Sequence, residues 1–246
     1  MKTPVYFISD IHLKLELDSK ERIRQQKLFR LLDYIIETGG TCFFVGDLFD
    51  FYFEYPDLVP KVFNDFYAKA LFMKSKNIEL HFLAGNHDYW VGDFIKNDIM
   101  DKVYLDDLEI TINNKRIFIT HGDGLLSWDH GYRLLKKIIR SKIFARLFQW
   151  LHPTISFKLA NFISRSGSHN THNEDFNKDV RNELQAKAEK KFENGFDFMI
   201  SGHYHLGELF DLKNGKLAVL GDWFFRPSYA IFDGDDLKIR HWETNE

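Results

Sequence analysis

The sequence predicts an α/β fold, on three observations. Short apolar and aromatic runs alternate with helical segments through the first half of the chain. Polar, chemistry-bearing residues stand directly after most of those runs, where open α/β sheets place their ligands. A chain of 246 residues with 44% hydrophobic content can build one large core, with or without a small insert.

Each element follows from its own pattern. Val5–Ser9 reads as a buried strand running into Asp10-Ile11-His12. Leu28, Leu31, Leu32, Ile35 and Ile36 recur at helical spacing, and Gly39-Gly40 ends that helix. Thr41–Val45 is a second strand, followed by Gly46-Asp47. Residues 58–76 read as helix, and Glu79–Ala84 as a third strand ending in Gly85-Asn86-His87-Asp88. Leu108–Ile112 and Arg116–Thr120, joined by Asn113-Asn114, read as a hairpin that leads into His121-Gly122-Asp123. From about residue 128 to 193 the pattern is helical, with a polar break at Ser164–Glu174. Phe198–Ser201 leads to Gly202-His203, and the remainder is β-rich: Glu208–Leu212, Lys216–Leu220, Tyr229–Phe232 and Leu237–Trp242.

Composition narrows the function. A net charge of −3 argues against a surface committed to nucleic acid. A single cysteine, Cys42, excludes an intrachain disulfide and fits a reducing compartment. The chain reaches Asp10 and His12 at once, so no cleavable signal peptide is expected. No apolar run approaches the ~18 residues of a transmembrane helix.

Five segments carry the chemistry: Asp10-Ile11-His12, Gly46-Asp47-Leu48-Phe49-Asp50, Gly85-Asn86-His87-Asp88, His121-Gly122-Asp123 and Gly202-His203-Tyr204-His205. Each alone is a weak signal. Their order, their glycines and their strand-end placement together are a strong one. Alternate residues of an extended segment face one side, so Asp10 with His12, and His203 with His205, can grip ions. Carboxylate, imidazole and amide donors together suit manganese, iron or zinc rather than a thiolate site. Two such ions need a bridging carboxylate, for which Asp47 is the candidate, and would clamp a phosphoryl displacement.

In order and in full, these segments match D-x-H, G-D-x-x-D, G-N-H-D, H and G-H-x-H. Over residues 10–205 the chain thereby resembles the calcineurin-like metallophosphoesterase superfamily. The resemblance implies a metal-dependent hydrolase on a four-layer α/β/β/α sandwich. It assigns Asp10, His12, Asp47 and His205 to one ion, and Asp47, Asn86, His121 and His203 to the other. His87 would contact the substrate phosphate or protonate the leaving group, and Asp88 would orient it. Asp50 and Asp123 read as carboxylates behind metal-bound histidines, not as ligands.

Leu125–Asn170 is unlike the rest. It holds eight basic residues against one acid, Asp129, in a chain of net charge −3, and it is full of Leu, Ile, Phe and Trp. That combination reads as an element lying on anionic lipid headgroups. With Asp129-His130-Gly131-Tyr132 after His121-Gly122-Asp123, and Leu220-Gly221-Asp222-Trp223 near the end, the chain resembles the UDP-2,3-diacylglucosamine hydrolase family of lipid A biosynthesis. The resemblance implies a core of residues 1–124 and 194–246 with a helical insertion, 125–193, that forms a lid over acyl chains. It implies substrate contacts from Asn86, His87, Asp129, Arg165, Ser168 and His169. The products would be UMP and a diacylglucosamine 1-phosphate, the metal usually manganese. The place would be the cytoplasm, peripherally on the inner membrane. The chain departs from many members in carrying His87 where they have arginine. Two alternatives remain beside this reading: a soluble phosphodiesterase or phosphatase, and a non-catalytic scaffold of the same fold. The Phe49–Phe53 run is either core or part of an acyl-chain wall. His81, His130, His152, His169, His172 and His241 lack a supporting pattern, His169 being set apart by its place beside the expected substrate contacts. The oligomeric state is left open.

Overall fold

Alternation along the strands sets the layers. In β1 (Val5–Ile8), Tyr6 and Ile8 face one core and Val5 and Phe7 another. In β2 (Thr41–Val45), Cys42 and Phe44 face the first, and Phe43 and Val45 the second. A strand apolar on both sides must be covered on both sides. The structure, a computed structural model, describes residues 1–55, 57–152, 155 and 174–242, with backbone only for 174–176.

Among the described residues, the strands form two sheets. The first runs β11-β10-β1-β2-β3-β4, with β3 (Glu79–Leu83), β4 (Lys102–Tyr104), β10 (Ser228–Phe232) and β11 (Leu237–His241). Its β1-to-β4 part is parallel, and β10 joins antiparallel. The second runs β5-β6-β7-β9-β8, with β5 (Leu108–Ile112), β6 (Lys115–Thr120), β7 (Phe198–Ser201), β8 (Glu208–Leu212) and β9 (Gly215–Val219). β6, β7 and β9 are mutually parallel.

Helix α1 (Ser19–Thr38) starts at Asp18, whose carboxylate accepts from the Glu21 amide at 2.7 Å. It lays Leu28, Leu31, Leu32 and Ile35 on the first sheet beside Phe66, Ala70 and Met73 of α2 (Asn64–Ser75). Val5, Phe7, Phe43 and Val45 meet Ile117, Ile119, Ile200 and Ala218 between the sheets. Beyond the second sheet, Val180, Leu184, Ala188 and Phe192 of α5 (Glu174–Glu193) pack on Phe118, Met199 and Leu217. The layers are therefore α/β/β/α. Helix α5 lies within the expected 125–193 insertion, yet its apolar stripe makes it the outer layer of the sandwich.

Two more helices, α3 (His130–Ile139) and α4 (Lys142–Gln149), precede it. No residue of α3 is buried, and in α4 only Phe148 is. The polar break expected at 164–174 falls mainly outside the described residues. Sequence periodicity missed β4, a three-residue edge strand too short to show a period, and the π-helical turn Phe94–Ile99. The helix expected over 58–76 begins later, after a 3₁₀ turn at Lys61–Phe63. No helix among the described residues is long and apolar enough to cross a membrane.

Candidate metal centre

The parallel strands β1, β2, β3, β6 and β7 all end on one side, and the five motif segments are the loops that follow them. Backbone hydrogen bonds lash the first two together: Asp10 N to Gly46 O at 3.2 Å, His12 N to Asp47 O at 2.9 Å and Leu13 N to Leu48 O at 2.9 Å. Asp10, His12, Asp47, His203 and His205 all have left-handed backbone, with φ of 52°, 48°, 51°, 70° and 56°. Such backbone is uncommon for residues with a Cβ and persists only where the surroundings over-determine it. Arg24 is part of those surroundings. Its guanidinium donates to the carbonyls of Ile11 and His12, the latter at 2.6 Å, and is itself gripped by Glu21. Gly85 is required by close approach, since a Cβ there would fall on the Asp47 carboxylate. At Gly46 a Cβ would strike the His121 ring.

Asp47 is the hub. Its Oδ2 lies 3.3 Å from His121 Nε2, 3.8 Å from His12 Nε2 and 3.9 Å from His87 Nε2. Asp10 Oδ1 meets His205 Nε2 at 3.1 Å, and Asn86 Oδ1 meets His121 Nε2 at 3.0 Å. Three overlapping sets of donor atoms are close enough to share an ion: Asp10, His12 and His205; His12, Asp47 and His87; and Asp47, His121 and His203.

Protein groups alone set the charge. Burial would raise the Asp10 carboxyl, but the His205 imidazole offsets this and holds it down to about 2. Asp47 is likewise buried, and His121 and His87 beside it keep it well below the usual carboxylate range. Burial and then the neighbouring His121 charge push His203 down to about 4, leaving it neutral, the form that binds metal. Against the pull of burial, Asp47 lifts His121 to about 10. Buried carboxylates and imidazoles converging this way are costly without a cation among them, and ionised Asp with imidazole is the donor chemistry of divalent metals. The residues fit the group.

The calcineurin-like phosphoesterase family model matches residues 3–207. The chain belongs to this family. This phosphoesterase is also 30% identical to a UDP-2,3-diacylglucosamine hydrolase of Porphyromonas gingivalis, across 100% of both chains. One from Proteus mirabilis is 27% identical over 95% of this chain and 96% of its own. A solved archaeal phosphodiesterase is similar at 14% identity over 97% of this chain and 99% of that one, with a TM-score of 0.49. The phosphoesterase is accordingly a metal-dependent hydrolase.

Its structure brings together Asp10, His12, Asp47, Asn86, His87, His121, His203 and His205. Asp88 is placed differently from the expectation that it orients His87. It is fully buried, and its carboxylate accepts from the amides of Asp47, Leu48, Phe49 and Gly85. Burial and the Asp47 charge push it up to about 7. The His87 ring instead donates from Nδ1 to the Asp50 carbonyl at 2.6 Å, which leaves Nε2 toward the site. Adjacent residues point different ways, so Asp88 ties two loops and leaves the ring to Asp50. Asp50 stands 3.6 Å behind His12 Nδ1. His121 is steadied from Nδ1 by the Val45 carbonyl at 3.0 Å, with Asp123 serving another purpose. Asp123 accepts from Tyr132 at 3.0 Å, pairs with Lys136 at 2.8 Å and with Arg140 at 3.4 Å, so it moors α3. Asp129 precedes α3 at its N-terminus, and Arg165, Ser168 and His169 lie outside the described residues.

Sequence reasoning missed Arg24, Ser9 and a role for Asp222. Ser9 Oγ donates to the Asp10 carboxylate and the Val45 carbonyl. Asp222 Oδ2 stands 4.0 Å behind His205 Nδ1. Only the last had a signal, the Gly221-Asp222 pair just past a strand. The Phe49–Phe53 run divides between two apolar clusters. Phe49 and Tyr52 enter the first core, while Phe51 and Phe53 meet Trp90 and, from α4, Phe144 and Phe148.

Proposed function

We propose that this phosphoesterase hydrolyses the pyrophosphate of UDP-2,3-diacylglucosamine to UMP and 2,3-diacylglucosamine 1-phosphate. It acts at a membrane surface with two divalent ions, manganese foremost. One observation carries the reading: a short basic, apolar helical pair stands beside the metal centre with its apolar side chains turned outward. Tyr132 of α3 lies 6.1 Å from the His203 ring. Leu134, Leu135 and Ile138 of α3, Ile143 and Leu147 of α4, and Trp150 just after it are exposed, Trp150 at 84%. Each acyl methylene buried on such a face stabilises binding by about 0.8 kcal/mol. Lys137, Lys142 and Arg146 are exposed around it, suited to anionic headgroups. The names of the full-length relatives support the same substrate.

When bound, the ions supply an activated water and neutralise phosphate charge. The chain's own residues do the rest. Asp47 would hold both ions, with Asp10, His12 and His205 serving one and Asn86, His121 and His203 the other. His87 presents Nε2 to the phosphate and gives a proton or a hydrogen bond to the leaving oxygen. Asp129 contacts the polar part of the substrate, with Arg165, Ser168 and His169 as further contacts.

The test is manganese-dependent release of UMP from UDP-2,3-diacylglucosamine, run beside a simple aryl phosphodiester. Cleavage of the aryl ester with no UMP from the lipid would replace this reading with a soluble phosphodiesterase.

A further inference from the structure

Past β9, the chain turns back over the metal centre as Asp222-Trp223-Phe224-Phe225. The turn is firmly held. Trp223 is 1% exposed, and its amide donates to the Asp10 carbonyl at 3.3 Å. The Asp222 carboxylate, itself close to His205, accepts from the amides of both Phe224 and Phe225 at 2.7 Å. The same turn that fixes a carboxylate behind a candidate ligand thus presents two phenyl rings outward.

The Phe224 ring lies 5.8 Å from that of His12 at 32°. The Arg24 guanidinium stands 4.5 Å from its centroid and the Lys14 ammonium 5.3 Å. Phe225 follows at 6.5 Å, and the two are 39% and 75% exposed. Large apolar rings left partly exposed beside a hydrolytic centre offer a recognition surface.

We propose that Phe224 and Phe225 are the nucleobase subsite: a platform on which the base of a nucleotide stacks while its phosphate lies at the metal centre, with Lys14 over the Phe224 ring. This rests on the nucleotide–lipid reading above. A base has an uncharged π face, which aromatic side chains take by stacking. A substrate that is nucleotide at one end and lipid at the other needs two unlike walls. The turn beside His12 supplies a flat aromatic and cationic one, and α3 beside His203 leads to the apolar one.

Calorimetric titration of the manganese-loaded protein with UMP and with ribose 5-phosphate isolates the base. We expect the wild-type protein to bind UMP more tightly than ribose 5-phosphate. Phe225→Ala should weaken UMP roughly 5- to 100-fold, the range for one lost base stack, and change ribose 5-phosphate by about twofold or less. Phe225→Trp should restore the preference. Uracil ring protons should shift upfield on binding the wild-type protein, and this shift should shrink in Phe225→Ala. An unchanged UMP affinity in Phe225→Ala, or an equal loss for both ligands, overturns the platform while UMP release from the lipid stands. No binding of UMP to the wild-type protein, with no UMP released, overturns the nucleotide reading and the platform with it.

Discussion

The motif loops of the candidate metal centre and the helices α3 and α4 draw on similar residues to opposite effect. In the loops, side chains are pinned from several segments at once. Asp47 takes the His87 amide on Oδ1 and faces three imidazoles with Oδ2, while its own amide is held by Asp88. In α3 nothing is buried. The helix is moored by polar ties: Tyr132, Lys136 and Arg140, spaced one helical turn apart, all reach Asp123, and Arg133 reaches the carbonyls of Gly124, Leu126 and Ser127. Leucine and isoleucine that would be core elsewhere face out here. A site that must fix charges against one another is over-determined. The α3 face is left apolar and lightly attached.

Four variants break or sharpen this contrast. The largest effect is expected from Asp47→Ala, which should take hydrolysis to background and lower bound metal by elemental analysis. Retention of full metal would remove Asp47 from the bridge. His87→Ala comes next, slowing turnover by roughly 10²–10⁴, the range for a lost general acid, with metal content intact. Loss of metal would instead make His87 a ligand, as its grouping with His12 and Asp47 allows.

In α3 and α4, glutamate at Lys137, Lys142 and Arg146 together should weaken binding to anionic vesicles about 100-fold or more, at about 1 kcal/mol per charge, and added salt should mimic it. Undiminished vesicle binding would make the helices a plain cap. Lys136 and Arg140 are poor choices for this test because they hold Asp123. The smallest effect should come from Asp123→Asn. These pairs are partly solvent-screened, so loosening α3 should raise the rate of limited proteolysis within α3–α4 only about 5- to 10-fold, on the order of 1 kcal/mol. If cleavage does not accelerate, α3 is held by something other than Asp123.

The loops were legible in the sequence because the buried strands are short apolar runs that stop at polar residues. Val45 is followed by Gly46-Asp47, and Thr120 by His121. The supports were less so. Asp88 looks like a partner for the adjacent His87 until the backbone turns its carboxylate toward four amides. Asp123 looks like a carboxylate behind His121, but the one turn of spacing shared by Tyr132, Lys136 and Arg140 claims it. Arg24 holds the Asp10–His12 loop from the second turn of α1, and no local spacing announces that. The helical period showed that α5 was a helix but not that its stripe belonged to the second sheet, since a period tells which face is apolar and not what covers it.

Asp10 follows a strand of the first sheet and His205 a strand of the second, and they meet at 3.1 Å across 195 positions of chain. An ion gripped by both would close that loop as a covalent tie does, restricting the unfolded chain by an amount that chain-entropy reasoning puts at about 5 kcal/mol. In this phosphoesterase the catalytic ions would then also be the rivet between two sheets. Chelation should lower the melting temperature along with the activity, and a protein starved of metal while it folds should be the one most open to proteases.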